Sequence, residues 1–236
     1  NEFTAWGEFV KAWGWGVRDG SSELQVCTAT CVTGSGGEGK GQFGISGSVE
    51  GVAVDSNGNV YVVDYSNRRV QKFSRDGDFL LMFGGGVNKT SGGNVCPRPG
   101  SPADVCQAGA EGVSAGEFGA WPFIRGSFIT IGPADQVYIG DQERIQRFNA
   151  AGEYISEIPL PGRTVFALAA DRSGGVNSGD LYVSFYSGNF SEPAEANVLK
   201  LTPPSASTSA TLEVSRPTGI AVDPKGNVFV VDQAFF

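Results

Sequence analysis

The 236-residue sequence contains no histidine. Histidine is the general base of Ser–His–Asp and Cys–His catalytic sites and a common metal ligand, so this chain cannot build those sites from its own residues. Acidic residues outnumber basic ones by 25 to 17, and the formal net charge is −8. A surface of that sign repels phosphate, so we do not expect nucleic acid as a partner. No run approaches the roughly 18 apolar residues of a membrane helix, and we expect no membrane insertion.

Glycine is abundant instead, with 35 residues, and hydrophobic residues make up 40% of the chain. This composition is typical of a turn-rich β protein with a core. The phrase GVAVDSNGNVYVVD at residues 51–64 returns as GIAVDPKGNVFVVD at residues 219–232, with identical internal spacing. Each copy places two β-branched runs on either side of a turn that contains glycine, which predicts two strands joined by a tight turn. The phrase is therefore a structural repeat.

A second predicted hairpin follows the first copy, with strands at residues 69–73 and 79–83, so one repeat unit is a four-stranded antiparallel meander. Looser copies recur along the chain. The chain opens on the outer two strands of a unit, at residues 3–13, and its last unit has only the inner two strands. Meanders in series are the blades of a β-propeller. The sequence therefore predicts an all-β propeller domain or segment, residues 1–236, with about four blades represented.

The segment DYSNRRVQKF at residues 64–73 resembles the NHL repeat, whose signature is Asp-x-x-Asn-x-Arg-Val/Ile-Gln-x-Phe. The next unit, residues 141–148, is two residues shorter in this segment and lacks the Asn. The resemblance implies a β-propeller of usually six blades. An Asp and an Arg repeated at one blade position indicate a structural hydrogen-bonded pair, either within a blade or between blades. The repeat-motif residues are Asp64, Asn67, Arg69, Gln71, Asp141, Arg144, Gln146 and Asp232.

The number of blades leaves two arrangements open. In the first, which we favour, the chain is part of a larger, six-bladed ring, and further blades cover the strand edges at residues 3–13 and 229–232. Another copy of the chain is the other candidate for covering them, because open β edges recruit strands. In the second arrangement, a permuted closure, residues 3–13 complete the blade that begins at residue 219.

The four cysteines lie in two glycine-rich insertions between blades, at about residues 17–50 and 87–124. In each insertion the second cysteine precedes a phenylalanine by 12 residues, so the insertions are copies of one another. Four cysteines allow three pairings, and the duplication favours a local disulfide in each insertion. These disulfides would join Cys27 to Cys31 and Cys96 to Cys106. Disulfides persist in oxidising compartments, so we expect an extracellular or cell-surface protein. The spacing does not fit a zinc site.

Two other motifs favour structural interpretations. Residues 34–40, GSGGEGK, have the letters of a phosphate-binding loop, but Gly41 stands where Ser or Thr would hold magnesium, and no helical pattern follows. Residues 55–59 alternate polar groups like a calcium loop, but position twelve is Ser66 instead of glutamate. We interpret these segments as a loop and a turn, and predict no metal or cofactor. Acceptor sequons begin at Asn88 and Asn189, in loops that we expect to be exposed.

The insertions and residues 184–197 should crowd onto one rim of the propeller, and loops on a rigid scaffold are where recognition usually resides. We therefore expect a non-catalytic binding or scaffold propeller that recognises a protein or glycan partner through this face. Its candidate contacts are Trp15, Tyr65, Arg68, Trp121, Phe123, Tyr186 and Phe190. The alternative, implied by resemblance to gluconolactonase-like propellers, is a metal-dependent lactonase or hydrolase. Its candidate ligands are Glu50, Asp64, Asp141, Asp180 and Asn197.

Overall fold

The computed structural model describes residues 1–44, 49–119, 129–188, 193–204 and 208–233. Its strands form five antiparallel sheets, whose strand order follows the chain. The first sheet contains β1 (Glu2–Phe3), β2 (Phe9–Trp15) and β3 (Leu24–Cys27). The second contains β4 (Val49–Val54), β5 (Val60–Asp64), β6 (Arg69–Phe73), β7 (Phe79–Phe83) and β8 (Val95–Cys96). The third contains β9 (Ile129–Ile131), β10 (Val137–Asp141), β11 (Arg144–Phe148) and β12 (Tyr154–Pro159). The fourth contains β13 (Thr164–Ala170), β14 (Leu181–Gly188), β15 (Pro193–Leu201) and β16 (Thr208–Leu212), and the fifth contains β17 (Pro217–Val222) and β18 (Val228–Asp232).

The sheets are the blades of a propeller, as the repeat predicts. Strands β4, β9, β13 and β17 are the first strands of successive blades, and each contacts the next. The predicted four-stranded meander is present in the second, third and fourth blades. The second blade also has a fifth strand, β8, which pairs with β7, and in the first blade β3 pairs with β2 in the same way. Each cysteine-bearing insertion therefore begins by adding a strand to the outside of a blade.

Neighbouring blades bury their apolar faces against each other. The rings of Phe83 and Phe148 lie 4.8 Å apart between the second and third blades. Glycine is needed where the outer turn of one blade meets an aromatic residue of the previous blade. Gly152, at φ +77°, has so little space that a Cβ would lie 2.8 Å from the Phe83 ring, and Gly77, at φ +94°, meets Trp13 in the same way. The same contact between blades is thus built twice, which follows from the sequence repeat.

The two ends of the blade array lie in different sheets. The permuted closure would place residues 9–13 in one sheet with residues 228–232, but β2 belongs to the first sheet and β18 to the fifth. An apolar sheet face is exposed on β4 of the second blade, where Val52 is 63% exposed, and on β18 of the fifth, where Val231 is 63% exposed. Within the described ranges, no helix has the length and apolarity needed to cross a membrane.

Candidate binding face

The corner between β5 and β6 brings the first repeat-motif residues together. A single 3-10 turn, Tyr65–Asn67, ends at Arg68 in the left-handed conformation, and the turn places Asp64 opposite Arg69. One Asp64 carboxylate oxygen, Oδ2, accepts hydrogen bonds from Arg69 Nε at 2.9 Å, Asn67 Nδ2 at 2.9 Å and Gln71 Nε2 at 3.3 Å. Both charged side chains are 0% exposed. A buried ion pair is tolerated only when its remaining donors and acceptors are also satisfied.

The remaining donors of Arg69 bind backbone carbonyls of both insertions. In the first insertion they reach Glu38, Gly39 at 3.2 Å and Gln42 at 2.8 Å, and in the second they reach Gln107 at 3.2 Å. The second Asp64 oxygen accepts the backbone N–H of Gly44 at 3.0 Å. Burial lowers the pKa of the Arg69 guanidinium, and the Asp64 carboxylate opposes this shift. Arg69 therefore fastens two loops to one blade.

The third blade repeats this arrangement. Arg144 Nη2 lies 2.8 Å from Asp141 and also donates to the carbonyl of Glu117 at 3.0 Å, while Asp141 accepts the N–H of Gly119 at 3.0 Å. Gln146 donates to the Glu117 carbonyl at 2.7 Å. Burial raises the pKa of Asp141, and the bonds from Arg144 oppose this shift. The Asp–Arg pairs are thus structural pairs within blades, in agreement with the interpretation from the sequence.

Sequence reasoning missed the loop partners of these pairs. Several of them, including the carbonyls of Gln42 and Glu117, lie in a repeated Gly-x-Phe-Gly segment, at residues 41–44 and 116–119. Its phenylalanine packs against the last aromatic residue of the motif, with Phe43 6.0 Å from Phe73 and Phe118 5.9 Å from Phe148 between ring centroids. The segment falls at equivalent places in both insertions, and that spacing is the signal that identifies it.

Each insertion is also closed by a disulfide. The structure joins Cys27 to Cys31 and Cys96 to Cys106, the two pairings that the duplication favours. Cys27 lies in β3 and Cys96 in β8, so each bridge starts from the strand that the insertion adds to the outside of its blade. With their carbonyls bound to Arg69 and Arg144, both insertions lie at the end of the blades where β5 joins β6. We call this end the loop face.

Asn88 is not exposed, which corrects the expectation for its sequon. Its side chain is buried in the second insertion, where its amide donates to Asp104 at 2.7 Å and to the carbonyl of Val95 at 3.0 Å. Arg98 also donates to Asp104, at 2.8 Å, and bonds from Arg98 and Asn88 hold the pKa of Asp104 well below its usual range. The amide is thus part of the loop core. Asn189, of the second sequon, lies outside the described residues.

The family comparison identifies the second blade. The NHL repeat family matches residues 48–73, which include the whole Asp64–Arg69 corner. The segment from β4 to β6 of this blade is an NHL repeat. No curated protein matches the chain.

Several solved structures are similar to this chain. Glutaminyl cyclase of Myxococcus xanthus is 13% identical with a TM-score of 0.42, over 80% of this chain and 70% of that one. A gluconolactonase of Xanthomonas campestris is 16% identical with a TM-score of 0.43, over 78% of this chain and 54% of that one. Virginiamycin B lyase of Staphylococcus aureus is 15% identical with a TM-score of 0.42, over 95% of this chain and 64% of that one. This chain thus spans 54–70% of the length of these three proteins.

The structure describes four of the predicted contact residues, Trp15, Tyr65, Arg68 and Tyr186. Trp15 is half-buried in a groove of about 380 Å³ beside the first insertion, where Trp13, Phe43 and the exposed backbone of Gly34 and Gly36 also line the space. Tyr65 is half-buried in the corner turn of the NHL repeat and packs against the core between the second and third blades, and Arg68 is paired with Glu111 at 2.6 Å. Tyr186 is buried in the fourth blade, where burial raises its pKa. Trp121, Phe123 and Phe190 lie outside the described residues.

The candidate metal ligands are engaged in other contacts. Asp64 and Asp141 hold their arginines, as described above. Asp180 contacts Lys200 at 2.9 Å and accepts a hydrogen bond from Thr202 at 2.6 Å, and Asn197 accepts the N–H of Val214 at 3.5 Å. The side chain of Glu50 lies outside the described residues. Among the residues with described positions, no three His, Cys, Asp or Glu side chains come together in a way that would hold a metal ion.

The two motifs that resemble ligand loops are parts of the scaffold. Residues 34–40 form an irregular segment, and Lys40 donates to the carbonyl of Pro102 in the second insertion at 3.4 Å. Asp55 accepts the backbone N–H groups of Asn57 and Asn59 at 3.0 and 2.9 Å, and Lys72 lies 3.5 Å from it. Its carboxylate therefore closes the β4–β5 turn of the NHL repeat.

Proposed function

We propose that this chain is a non-catalytic binding or scaffold segment of an extracellular or cell-surface propeller, and that it recognises a protein or glycan partner through its loop face. The observation that carries the proposal is the way both insertions are held. Each contains a disulfide and is bound through backbone carbonyls to the buried Arg69. A backbone fixed in this way loses little conformational entropy when a partner binds, which favours affinity.

The groove at Trp15 supports both classes of partner. Indole rings supply large, rigid contact surfaces that pack on apolar side chains or stack on sugar rings. The adjoining exposed backbone at residues 34 and 36 presents amide groups that hydrogen-bond polar substituents. The two disulfides are typical of oxidising compartments, which supports a location outside the cytoplasm. The contacts of Asp64, Asp141 and Asp180 favour binding over carboxylate-dependent catalysis.

The proposal is tested by probing the labelled protein against a glycan array and an array of extracellular protein domains. Trp15→Ala is the loop-face variant. Its matched control is Val176→Ala, at a fully exposed residue of the loop between β13 and β14 at the opposite end of the fourth blade. We expect a saturable partner whose affinity falls about thirtyfold in Trp15→Ala, as for an aromatic contact worth about 2 kcal/mol, and is unchanged in Val176→Ala.

Two outcomes would contradict the proposal. One is a partner whose binding depends on Val176 and not on Trp15. The other is turnover of lactones or esters that requires an added divalent cation and is lost in Asp180→Asn. Thermal unfolding of each variant shows whether it remains folded at the assay temperature.

A further inference from the structure

The corner between β10 and β11 of the third blade is more open than the equivalent corner of the second. In the second blade, the Gln107 carbonyl of the following insertion reaches Arg69, whose side chain is 0% exposed. No insertion follows the third blade, because residues 160–163 alone connect β12 to β13. The equivalent arginine, Arg144, remains 13% exposed. A pocket of about 340 Å³ lies beside it, which we call the corner pocket.

The corner pocket combines apolar surface with carboxylates. Three side chains supply the apolar surface, namely Val113, Pro159 and Pro161. Glu143 and Glu157 also line the pocket, together with the corner residues Asp141, Gln142 and Arg144. Glu157 faces Gln146 in the same register in which Met82 faces Gln71 in the second blade, so this part of the acidic lining is particular to the third blade. The volume lies within the roughly 300–1,000 Å³ typical of ligand sites, so the pocket has room for a long side chain.

The guanidinium in the lining has no donor left for a ligand. Arg144 Nη1 donates to the Val113 carbonyl at 2.6 Å and to Glu157 at 2.9 Å. Its Nε and Nη2 bind Asp141 and two further backbone carbonyls. A guanidinium has five N–H donors, and these contacts use all of them. The charged groups that the pocket can still offer a ligand are therefore carboxylate oxygens, which accept hydrogen bonds.

The Glu143 carboxylate is one of these acceptors. Among the residues that the structure describes, none donates a hydrogen bond to it or forms an ion pair with it. Arg163, two residues after Pro161, is engaged in the fourth blade, where its guanidinium lies 5.0 Å from the Phe185 ring and 3.7 Å from Glu195. The lining of the corner pocket carries three acidic side chains against one basic one, which is an excess of negative charge.

We propose that the corner pocket binds an arginine or lysine side chain of a protein partner. The cation would lie at Glu143 and Glu157, and the methylene groups behind it would pack on Val113, Pro159 and Pro161. A neutral sugar would leave the excess negative charge without a counterion at the interface, and an acidic group would be repelled. The proposal rests on the proposed function, because it specifies a protein partner for the loop face.

The test is a titration of the whole chain followed by ¹H–¹⁵N chemical shifts, with N-acetyl-L-argininamide as the probe. N-acetyl-L-citrullinamide has nearly the same shape and lacks the charge. We expect saturable shifts confined to the β10–β11 corner, the end of β12 and the residues around Val113, with binding about tenfold weaker for the citrulline probe, the usual size of a charge-assisted contact. Equal affinity for the two probes, no saturable shifts, or shifts spread over the chain would overturn the proposal.

A substitution that removes one charge examines the carboxylate. Glu143→Gln should weaken binding of the arginine probe about tenfold, to the level of the citrulline probe. Its matched control is Glu153→Gln, which makes the same change of charge in the β11–β12 turn at the opposite end of the same blade and should leave binding unchanged. Equal losses in the two variants would show a general effect of net charge and refute the role of Glu143.

A substitution that adds a cation examines the position of the probe. Val113→Lys places an ammonium group at the edge of the corner pocket and should compete with the arginine probe, so that binding weakens about tenfold. Val105→Lys is the matched control, since Val105 lies in the same insertion but does not line the pocket. Val113 is 74% and Val105 55% exposed, so both variants should fold. Unchanged binding in Val113→Lys would place the probe elsewhere and refute the corner pocket.

The outcomes separate this inference from the proposed function. A partner that depends on Trp15, together with no response to the arginine probe, leaves the loop-face proposal in place and refutes the corner pocket. A specific response to the probe without any partner on the arrays establishes the corner pocket and refutes the wider proposal.

Discussion

Arg69 is the residue on which the arrangement of the loop face most depends. Its guanidinium donates to Asp64 within the NHL repeat and to carbonyls of both insertions, and its side chain is completely buried. Arginine suits this position because its planar group presents five donors in fixed directions. Removing it leaves a buried carboxylate and several backbone carbonyls without their donor.

We expect Arg69→Met to lower the free energy of unfolding by about 3–5 kcal/mol, the cost of breaking a buried ion pair on one side. Arg144→Met is the matched control, since Arg144 makes the same contacts but 13% of its side chain is exposed, and water can replace some of its bonds. The loss of unfolding free energy in Arg144→Met should therefore be smaller than in Arg69→Met. Urea unfolding monitored by tryptophan fluorescence measures both. A larger loss in Arg144→Met would show that burial does not determine the cost.

The lowered pKa of Asp104 predicts that the stability of the fold depends on pH. The bonds from Arg98 and Asn88 depress its pKa in the folded protein below the value of about 3.9 in an unfolded chain. These bonds stabilise the fold above the unfolded pKa, and their contribution is lost as the pH falls through the folded pKa. Between about pH 5 and pH 2, the midpoint temperature of thermal unfolding should therefore fall less in Asp104→Asn than in the wild type. Asp76→Asn, at an exposed position, should follow the wild type, and parallel curves for all three proteins would contradict the prediction.

At the scale of the strand, the sequence predicted the elements that repeat and missed those that do not. The β4–β5 and β17–β18 hairpins were predicted from one sequence segment that occurs twice. Strand β8 has only two residues in an insertion rich in glycine and proline, so it has no alternating pattern of its own. Its pairing with β7 creates it, and pairing between distant segments is not visible in local periodicity.

Contacts between distant segments also limited what the sequence could predict about the loop face. The Asp–Arg pairs were predictable, because both partners are side chains at fixed spacing. Their loop partners are backbone carbonyls, which every residue has, so no residue type marks them. The repeated Gly-x-Phe-Gly segment was the available indication. Asn88 was predicted to be exposed because the motif contains no information about the pocket that the second insertion forms around it.

The two disulfide-closed insertions should differ in their sensitivity to loss of the bridge. Cys96 and Cys106 are separated by 10 residues and Cys27 and Cys31 by 4, and the larger loop gains more entropy in the unfolded chain when it is opened. Cys96→Ala with Cys106→Ala should cost about 2–4 kcal/mol, more than the same change at the first bridge, as measured by calorimetry. Non-reducing peptide mapping should recover each local cross-link. A cross-linked peptide that joins the two insertions would contradict the pairing.

At the scale of the whole molecule, the second strand of the repeated segment is buried in its first copy, residues 51–64, and exposed in its second, residues 219–232. Tyr61 and Val63 of β5 are 0% exposed against the third blade. Phe229 and Val231 occupy the same positions of the repeat in β18 and are 59% and 63% exposed. The sequence is nearly the same, so the neighbouring blade determines the burial. We propose that further blades of the same polypeptide cover these faces, with another copy of the chain as the other occupant.

A matched pair of substitutions determines whether the end face is covered in solution. Val63→Thr places a hydroxyl in the core and should cost about 1–3 kcal/mol, because its hydrogen bonds to water are lost without replacement. Val231→Thr, at the equivalent position, should change stability by no more than about 0.5 kcal/mol if the β17–β18 face of this chain meets water. Both are measured by urea unfolding at several protein concentrations. If the two substitutions cost the same, the exposed face is buried by another molecule, and light scattering should then detect an assembly that Val231→Lys dissociates.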